Sequence, residues 1–240
     1  MDFAKKKKTT EDEEPKEEKA EATPEEQAKT LEDMLASSPV LFLNSPQEPP
    51  QDEVKIRNLT LYGDLVEDKA AELCFALNAL KEMGKYKTLK DPEDATSAII
   101  TAYKPIDFTI STYGGSALDM FAIYDTMRMV REECDINTLG IGKVMSAGVL
   151  LLAAGSKGKR KIGRNCRVMI HSVVGGSHGS IHNLENEMDE VRWIQDKYSE
   201  LLCAETDMTR SYLKKILGRK VNVYLTAVEA VELGIADEVV

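Results

Sequence analysis

From residue 54 onward, apolar positions recur with strand and helix periods. Ile56, Leu59 and Leu61 lead into Gly63 and predict a short strand. Leu65, Leu73, Leu77 and Leu80 then recur at helical spacing and predict a helix over 65–83, with Gly84 as its stop. Ile106-Asp107-Phe108-Thr109-Ile110 alternates as a strand. Met120, Ile123, Met127 and Val130 share one face of a helix over 118–130. A strand over 135–141 is expected to break at Gly142. Residues 147–154 are almost wholly apolar and predict a short buried helix, followed by a strand over 167–170. The stripe Ile181, Leu184, Met188, Val191, Ile194, Tyr198 and Leu201 predicts a long helix over 181–203. Further helices are expected over 208–217 and 227–233. Strands alternating with helices argue an α/β domain with a largely parallel sheet.

Before residue 54 this pattern disappears. Residues 1–30 contain no Leu, Ile or Val and read as Lys5 to Lys8 followed by an acid-rich run. Such a segment buries too little apolar surface to offset the entropy of ordering, so a disordered tail is expected. An apolar patch follows (Leu31, Met34, Leu35, Val40, Leu41, Phe42 and Leu43), then a proline-rich linker through Pro50. The expected organisation is a charged tail and linker over 1–53 and one folded domain over 54–240. No internal repeat is visible.

Composition narrows the function classes. With 31 basic and 41 acidic residues the formal charge is −10. That argues against nucleic acid or an anionic membrane as partner, because both need clustered Lys and Arg. No apolar run approaches the roughly 20 residues that span a bilayer, and no apolar segment follows the basic N-terminus as in a secretory signal. The four cysteines, Cys74, Cys134, Cys166 and Cys203, lack CxxC spacing. They fit core hydrophobes in a reducing, cytoplasmic setting better than a zinc site or disulfide framework. Neither a metal nor a cofactor is expected.

Three places can carry chemistry. Ser146, in Gly142-Lys143-Val144-Met145-Ser146-Ala147-Gly148, stands where a strand gives way to a buried helix. Backbone N–H groups and the positive end of a helix dipole suit a nucleophile there, although an ordinary helix cap is the plainer role. Val144 replaces the first glycine of a G-x-S-x-G elbow, so the α/β-hydrolase arrangement is not supported. His171 ends an apolar strand and suits either a site at the sheet edge or a structural histidine. His178 and His182 lack a convincing ligand set and read as surface residues. The glycine pairs Gly114-Gly115 and Gly175-Gly176 permit unusual backbone angles and close approach of an extended ligand, or simply tight turns.

Together these features resemble the ClpP proteolytic subunit of the Clp proteases. The resemblance spans about 59–240. It is carried by Gly114-Gly115-Ser116, by Ala122-Ile123-Tyr124-Asp125-Thr126-Met127, and by Ser146-Ala147-Gly148. Further blocks are Leu151-Leu152-Ala153-Ala154-Gly155-Ser156-Lys157-Gly158-Lys159-Arg160, Arg167-Val168-Met169-Ile170-His171 and Glu229-Ala230-Val231-Glu232-Leu233-Gly234-Ile235-Ala236-Asp237.

The resemblance implies a ClpP/crotonase-type fold, a spiral of ββα units with a protruding handle helix, and a serine endopeptidase. Ser146 matches the nucleophile and His171 the general base. Gly114 and Ala147 match the two oxyanion-hole residues. Gly115, Ser116, Val174, Gly175 and Gly176 fall on the substrate-binding segments. The long helix from Ile181 matches the handle through which heptameric rings stack around a chamber. Substrates would be unfolded or extended proteins, and an AAA+ unfoldase is a candidate partner.

The chain also departs from the family. Asn222, in Val221-Asn222-Val223, stands where the triad has Asp, and Val221 replaces the Arg before it. Tyr113 replaces the Pro before Gly-Gly, and residues 85–105 read as an insertion that lengthens a helix–strand connection. An asparagine can orient the imidazole but cannot stabilise its positive charge, so a weakened enzyme, or one activated only on assembly, is expected. Alternatives are an inactive ClpP-like assembly subunit, a viral head-maturation protease of ClpP type, and a crotonase-type acyl-CoA enzyme. Lys143, three residues before Ser146, offers a Ser–Lys variant.

Overall fold

The computed structural model of the protein describes residues 56–218 and 221–240. The tail, linker and domain start expected before residue 56 lie outside the described residues. The chain runs β1 (Asn58–Tyr62), α1 (Glu67–Met83), β2 (Lys85–Leu89), β3 (Ile99–Tyr103), β4 (Ile106–Thr112), α2 (Ala117–Arg131) and β5 (Ile136–Met145). It continues through α3 (Ala147–Ala153), β6 (Arg160–Ile162), β7 (Arg167–Ile170), α4 (Ile181–Glu205), α5 (Arg210–Leu217), β8 (Val223–Leu225), α6 (Ala227–Glu232) and β9 (Glu238–Val239).

Seven strands form the main sheet. Its path is β1-β4-β5-β6-β9, with β7 on β5 and β8 on β7. Every pair is parallel except β7–β8. Helical crossovers impose parallel pairing, and parallel strands covered by helices read as apolar runs. Ile106, Phe108 and Ile110 of β4 are fully buried on this account. All seven residues of α3 are buried, as its uninterrupted apolar sequence requires. This is the mixed α/β, mostly parallel architecture that the resemblance implies.

Strand β5 does not break at Gly142 but continues to Met145. Gly142 takes φ +63°, and pairing with β4 jumps from Ile110↔Gly140 to Thr112↔Val144. Two extra residues are thus absorbed in a bulge, which bends a strand without ending it. Below the bulge β5 pairs β6, and above it β5 pairs β7.

The insertion is a hairpin. β2 and β3 pair antiparallel as a separate two-stranded sheet. Arg57 fastens its base, donating to Leu80 O at 2.7 Å and to Pro105 O at 2.9 Å.

Helix α4 has two characters. Its N-terminal half exposes Ile181 (72%), Met188 and Trp193, whereas Tyr198, Leu201 and Leu202 are buried. Its last residue, Glu205, is only 4% exposed. Tyr124 Oη donates to it at 3.0 Å, and Arg131 donates at 2.8 and 3.1 Å. Arg131 also reaches Ala154 O at 2.6 Å. Arg160 donates to Glu205 O at 2.9 Å, to Gly234 O at 2.7 Å and to Asp237 Oδ2 at 2.9 Å. This ionic cluster ties the end of α4 to α2, α3 and the C-terminal segment.

Candidate active site

Ser146 is the hinge between β5 and α3. Its φ of 52° and ψ of −119° make it the only non-glycine residue with positive φ among the described residues. Such a conformation costs about 1–3 kcal/mol and persists only where the surroundings enforce it. Here they do. The Ser146 amide donates to Met169 O of β7 at 2.8 Å. Its carbonyl accepts from the Val149 amide at 3.0 Å and from the Tyr198 hydroxyl at 3.0 Å. The side chain makes no cap hydrogen bond to α3, so the plain reading of a helix-cap serine does not describe it.

The first glycine pair packs directly on this serine. Gly114 has φ +104°, and a Cβ there would lie 2.6 Å from Ser146 Cβ. Gly115 has φ +153°, and a Cβ there would lie 2.0 Å from Leu65 O. The Leu65 amide donates to Gly114 O at 2.8 Å and the Ser116 amide to Leu65 O at 3.1 Å. One amide is not free as the sequence suggested. Gly114 N–H donates to Thr112 Oγ1 at 2.9 Å, inside the protein, and so is engaged before any substrate arrives. The Gly115 amide has no backbone partner among the described residues. Ala147 opens α3, so its amide has no intrahelical acceptor. Among the described residues the open donors beside Ser146 therefore belong to Gly115 and Ala147, and the Gly114 amide, to which the resemblance points, is not one of them.

His171 follows the last residue of β7 and is half-buried. β7 and β8 pair in the register Val168↔Leu225, Met169↔Tyr224, Ile170↔Val223. His171 and Asn222 are the next residues beyond the last pair of that register, each outside its strand. Asn222 is exposed. No hydrogen bond joins Ser146 to His171, or His171 to Asn222, among the described residues. Asp207, a carboxylate that nothing in the motif places near His171, sits against Gly234 and donates its amide to Leu233 O.

A cleft of about 310 Å³ gathers Ser146 and His171, and Asn222 is not among its lining residues. Ser146, Ala147, Gly115, Ser116, His171 and Val174 line it, with Tyr113, Ala117, Met120, Ile194 and Tyr198 among its walls. Gly175 and Gly176 lie beyond the cleft wall, and open space surrounds Gly176. Lys143 lies between the rings of Tyr62 and Tyr113, at 4.9 and 4.7 Å from their centroids. Those cation–π contacts hold its ammonium on the aromatic pair rather than at the serine. His182 is 91% exposed and lies 3.6 Å from Glu185, as a surface residue would. Among the described residues no three His, Cys, Asp or Glu side chains gather as a metal site. None of the described helices is long and apolar enough to cross a membrane.

Sequence reasoning missed Gln195 and Tyr198. Gln195 Oε1 accepts from the Val173 amide at 2.7 Å, two residues after His171. Tyr198 appeared only as a member of an apolar stripe, which carries no hint that its hydroxyl bonds Ser146. Desolvation raises the pKa of that hydroxyl, which keeps it a donor.

Ser146, His171 and two free amides in one cleft suit acyl transfer through a serine ester. The family comparison agrees. The family model for Clp protease matches residues 98–240, more than half of the chain and all of the cleft. The chain belongs to the Clp protease family and is thereby a serine peptidase of the ClpP type.

Proposed function

We propose that the protein is a serine endopeptidase in which Ser146 attacks the scissile carbonyl and His171 takes the serine proton. His171 then returns that proton to the leaving amine. The observation that carries this reading is the single cleft lined by Ser146, His171, Gly115 and Ala147. A serine hydroxyl is a weak nucleophile until an adjacent imidazole accepts its proton. The amides of Gly115 and Ala147 receive the oxyanion, and each such donor contributes about 3 kcal/mol to the transition state. Asn222 accepts the Nδ1–H of His171 through its side-chain carbonyl and orients the ring. It supplies no negative charge for the imidazolium, so the enzyme works below the rate an aspartate would give.

The substrate is an extended or unfolded polypeptide. It lies as an added strand beside Gly115-Ser116 on one side and Val174-Gly175-Gly176 on the other, read mainly through its backbone. Ala117, Met120 and Ile194 favour an apolar side chain next to the cleaved bond. Residues 54–240 form the protease domain, and 1–53 a charged tail and linker. The apolar side chains exposed on the N-terminal half of α4, Ile181, Leu184, Met188 and Trp193, become buried between copies in a homo-oligomeric ring that encloses the sites, with an AAA+ unfoldase as feeder.

A fluorophosphonate probe tests the reading. Labelling at Ser146 that His171→Ala abolishes, with peptide cleavage lost in Ser146→Ala, is the expected result. Assembled protein that neither labels nor cleaves would instead make it an inactive assembly subunit. Asn222, at the position of the triad carboxylate, is the feature that favours that second reading.

A further inference from the structure

We infer that Gln195 and Tyr198, one helical turn apart on α4, are positioning residues that hold the two reacting side chains in register. The inference rests on the Ser146–His171 chemistry proposed above. Between the end of β7 and the start of α4 the chain has no regular structure. Among the described residues, 171–179 make one hydrogen bond, from the Val173 amide to Gln195 Oε1. That bond is the tether of the loop that carries His171. Gln195 is itself placed by its own turn, where Ser199 Oγ donates to Gln195 O at 2.8 Å.

Tyr198 acts on the other side of the cleft. Its hydroxyl donates to Ser146 O, the carbonyl of the Ser146–Ala147 peptide. A peptide unit is planar and trans, so its carbonyl and its N–H point in opposite directions and turn together. Fixing the carbonyl therefore aims the Ala147 N–H, which is one of the two open donors. This peptide follows the strained Ser146 backbone and would gain most from rotating away. Tyr198 is 5% exposed, so no water substitutes readily for its hydroxyl. A donor aimed this way matters most when the carbonyl oxygen becomes an oxyanion, and so should appear in kcat rather than KM.

The test uses the full-length protein, a fluorogenic peptide and the fluorophosphonate probe. Tyr198→Phe deletes one oxygen, Gln195→Met deletes the acceptor at constant length, and Gln195→Glu keeps an acceptor oxygen. Tyr198→Phe should lower kcat about tenfold with KM within about twofold, and should slow probe labelling in parallel. Gln195→Met should also lower kcat, and Gln195→Glu should restore most of it. Wild-type kcat in both Tyr198→Phe and Gln195→Met, with Ser146 of the wild type labelled normally, overturns this inference and leaves the serine reading standing. A loss in Gln195→Met that Gln195→Glu fails to restore overturns the Gln195 role. A wild-type protein that the probe does not label overturns the serine reading and this inference with it. Should Tyr198→Phe unfold, the Gln195 pair decides.

Discussion

Helix α4 serves two polar clusters, and they are finished differently. At its C-terminus Glu205, Arg131, Arg160, Tyr124 and Asp237 exchange hydrogen bonds until the buried carboxylate is ringed by donors. Three turns earlier, around Ser146, the protein leaves donors open: the amides of Gly115 and Ala147, and a serine side chain that caps nothing. The backbone there is strained as well. A saturated cluster holds the fold, because breaking a buried ion pair leaves an uncompensated charge. An unsaturated one costs stability and keeps its hydrogen-bonding capacity for a substrate.

Substitutions that separate activity from stability should break this contrast cleanly. Ser146→Ala and Ser146→Gly should each lower peptide hydrolysis by about 10⁴-fold or more. Their urea midpoints should differ, with the glycine variant more stable than the alanine variant by about 1 kcal/mol, because glycine relieves the strain at φ 52°. Equal midpoints would mean that the strain is not stored there. Glu205→Ala should do the reverse. It should cost about 3–5 kcal/mol of folding stability in denaturant titrations, with residual activity tracking the folded fraction.

Asn222→Asp should raise kcat about tenfold or more on a peptide substrate, since a carboxylate stabilises the imidazolium that an amide only orients. A lower rate would refute the role given to Asn222.

The smallest effect concerns acid. Burial alone would raise the pKa of Glu205 and of Asp237, but hydrogen bonds and charge from Arg131 and Arg160 outweigh it and leave both below their ordinary values. A carboxyl depressed in the folded state contributes stability that is fully present above its unfolded pKa, about 4. That contribution is lost as the pH falls through the depressed folded values. Urea midpoints should therefore hold from pH 7 to about 5 and drop below about 4. In Glu205→Ala the acid drop should shrink.

Much of the architecture was legible because long elements carry a period. α1, β4, α2, α3 and α4 each fall close to where their apolar positions put them. β6, β8 and β9, at two or three residues, are too short to display one. The β2–β3 hairpin went unread because Lys85, Lys87 and Thr88 leave little apolar alternation, as suits a two-stranded sheet whose residues are exposed or only partly buried. The ionic cluster gave no signal at all, since Glu205, Arg131, Arg160 and Asp237 meet only in space. At the site, residue types and order pointed to Ser146 and His171. Whether the Gly114 amide is open turned on one hydroxyl, that of Thr112, whose direction no sequence encodes.

The bulge in β5 has a consequence for how this catalyst could be tuned. A strand's side chains alternate with period two, so an insertion of two residues leaves every later residue on its original face. The slack at Ile141 and Gly142 is taken up between the pairs Ile110↔Gly140 and Thr112↔Val144, so Ser146 keeps both its face and its place along the sheet. Excising those two positions would leave Val144 opposite Thr112 and Ser146 where it stands, and would remove only the local bend of the strand. The placement of Ser146 is thereby insulated from the length of the strand that delivers it.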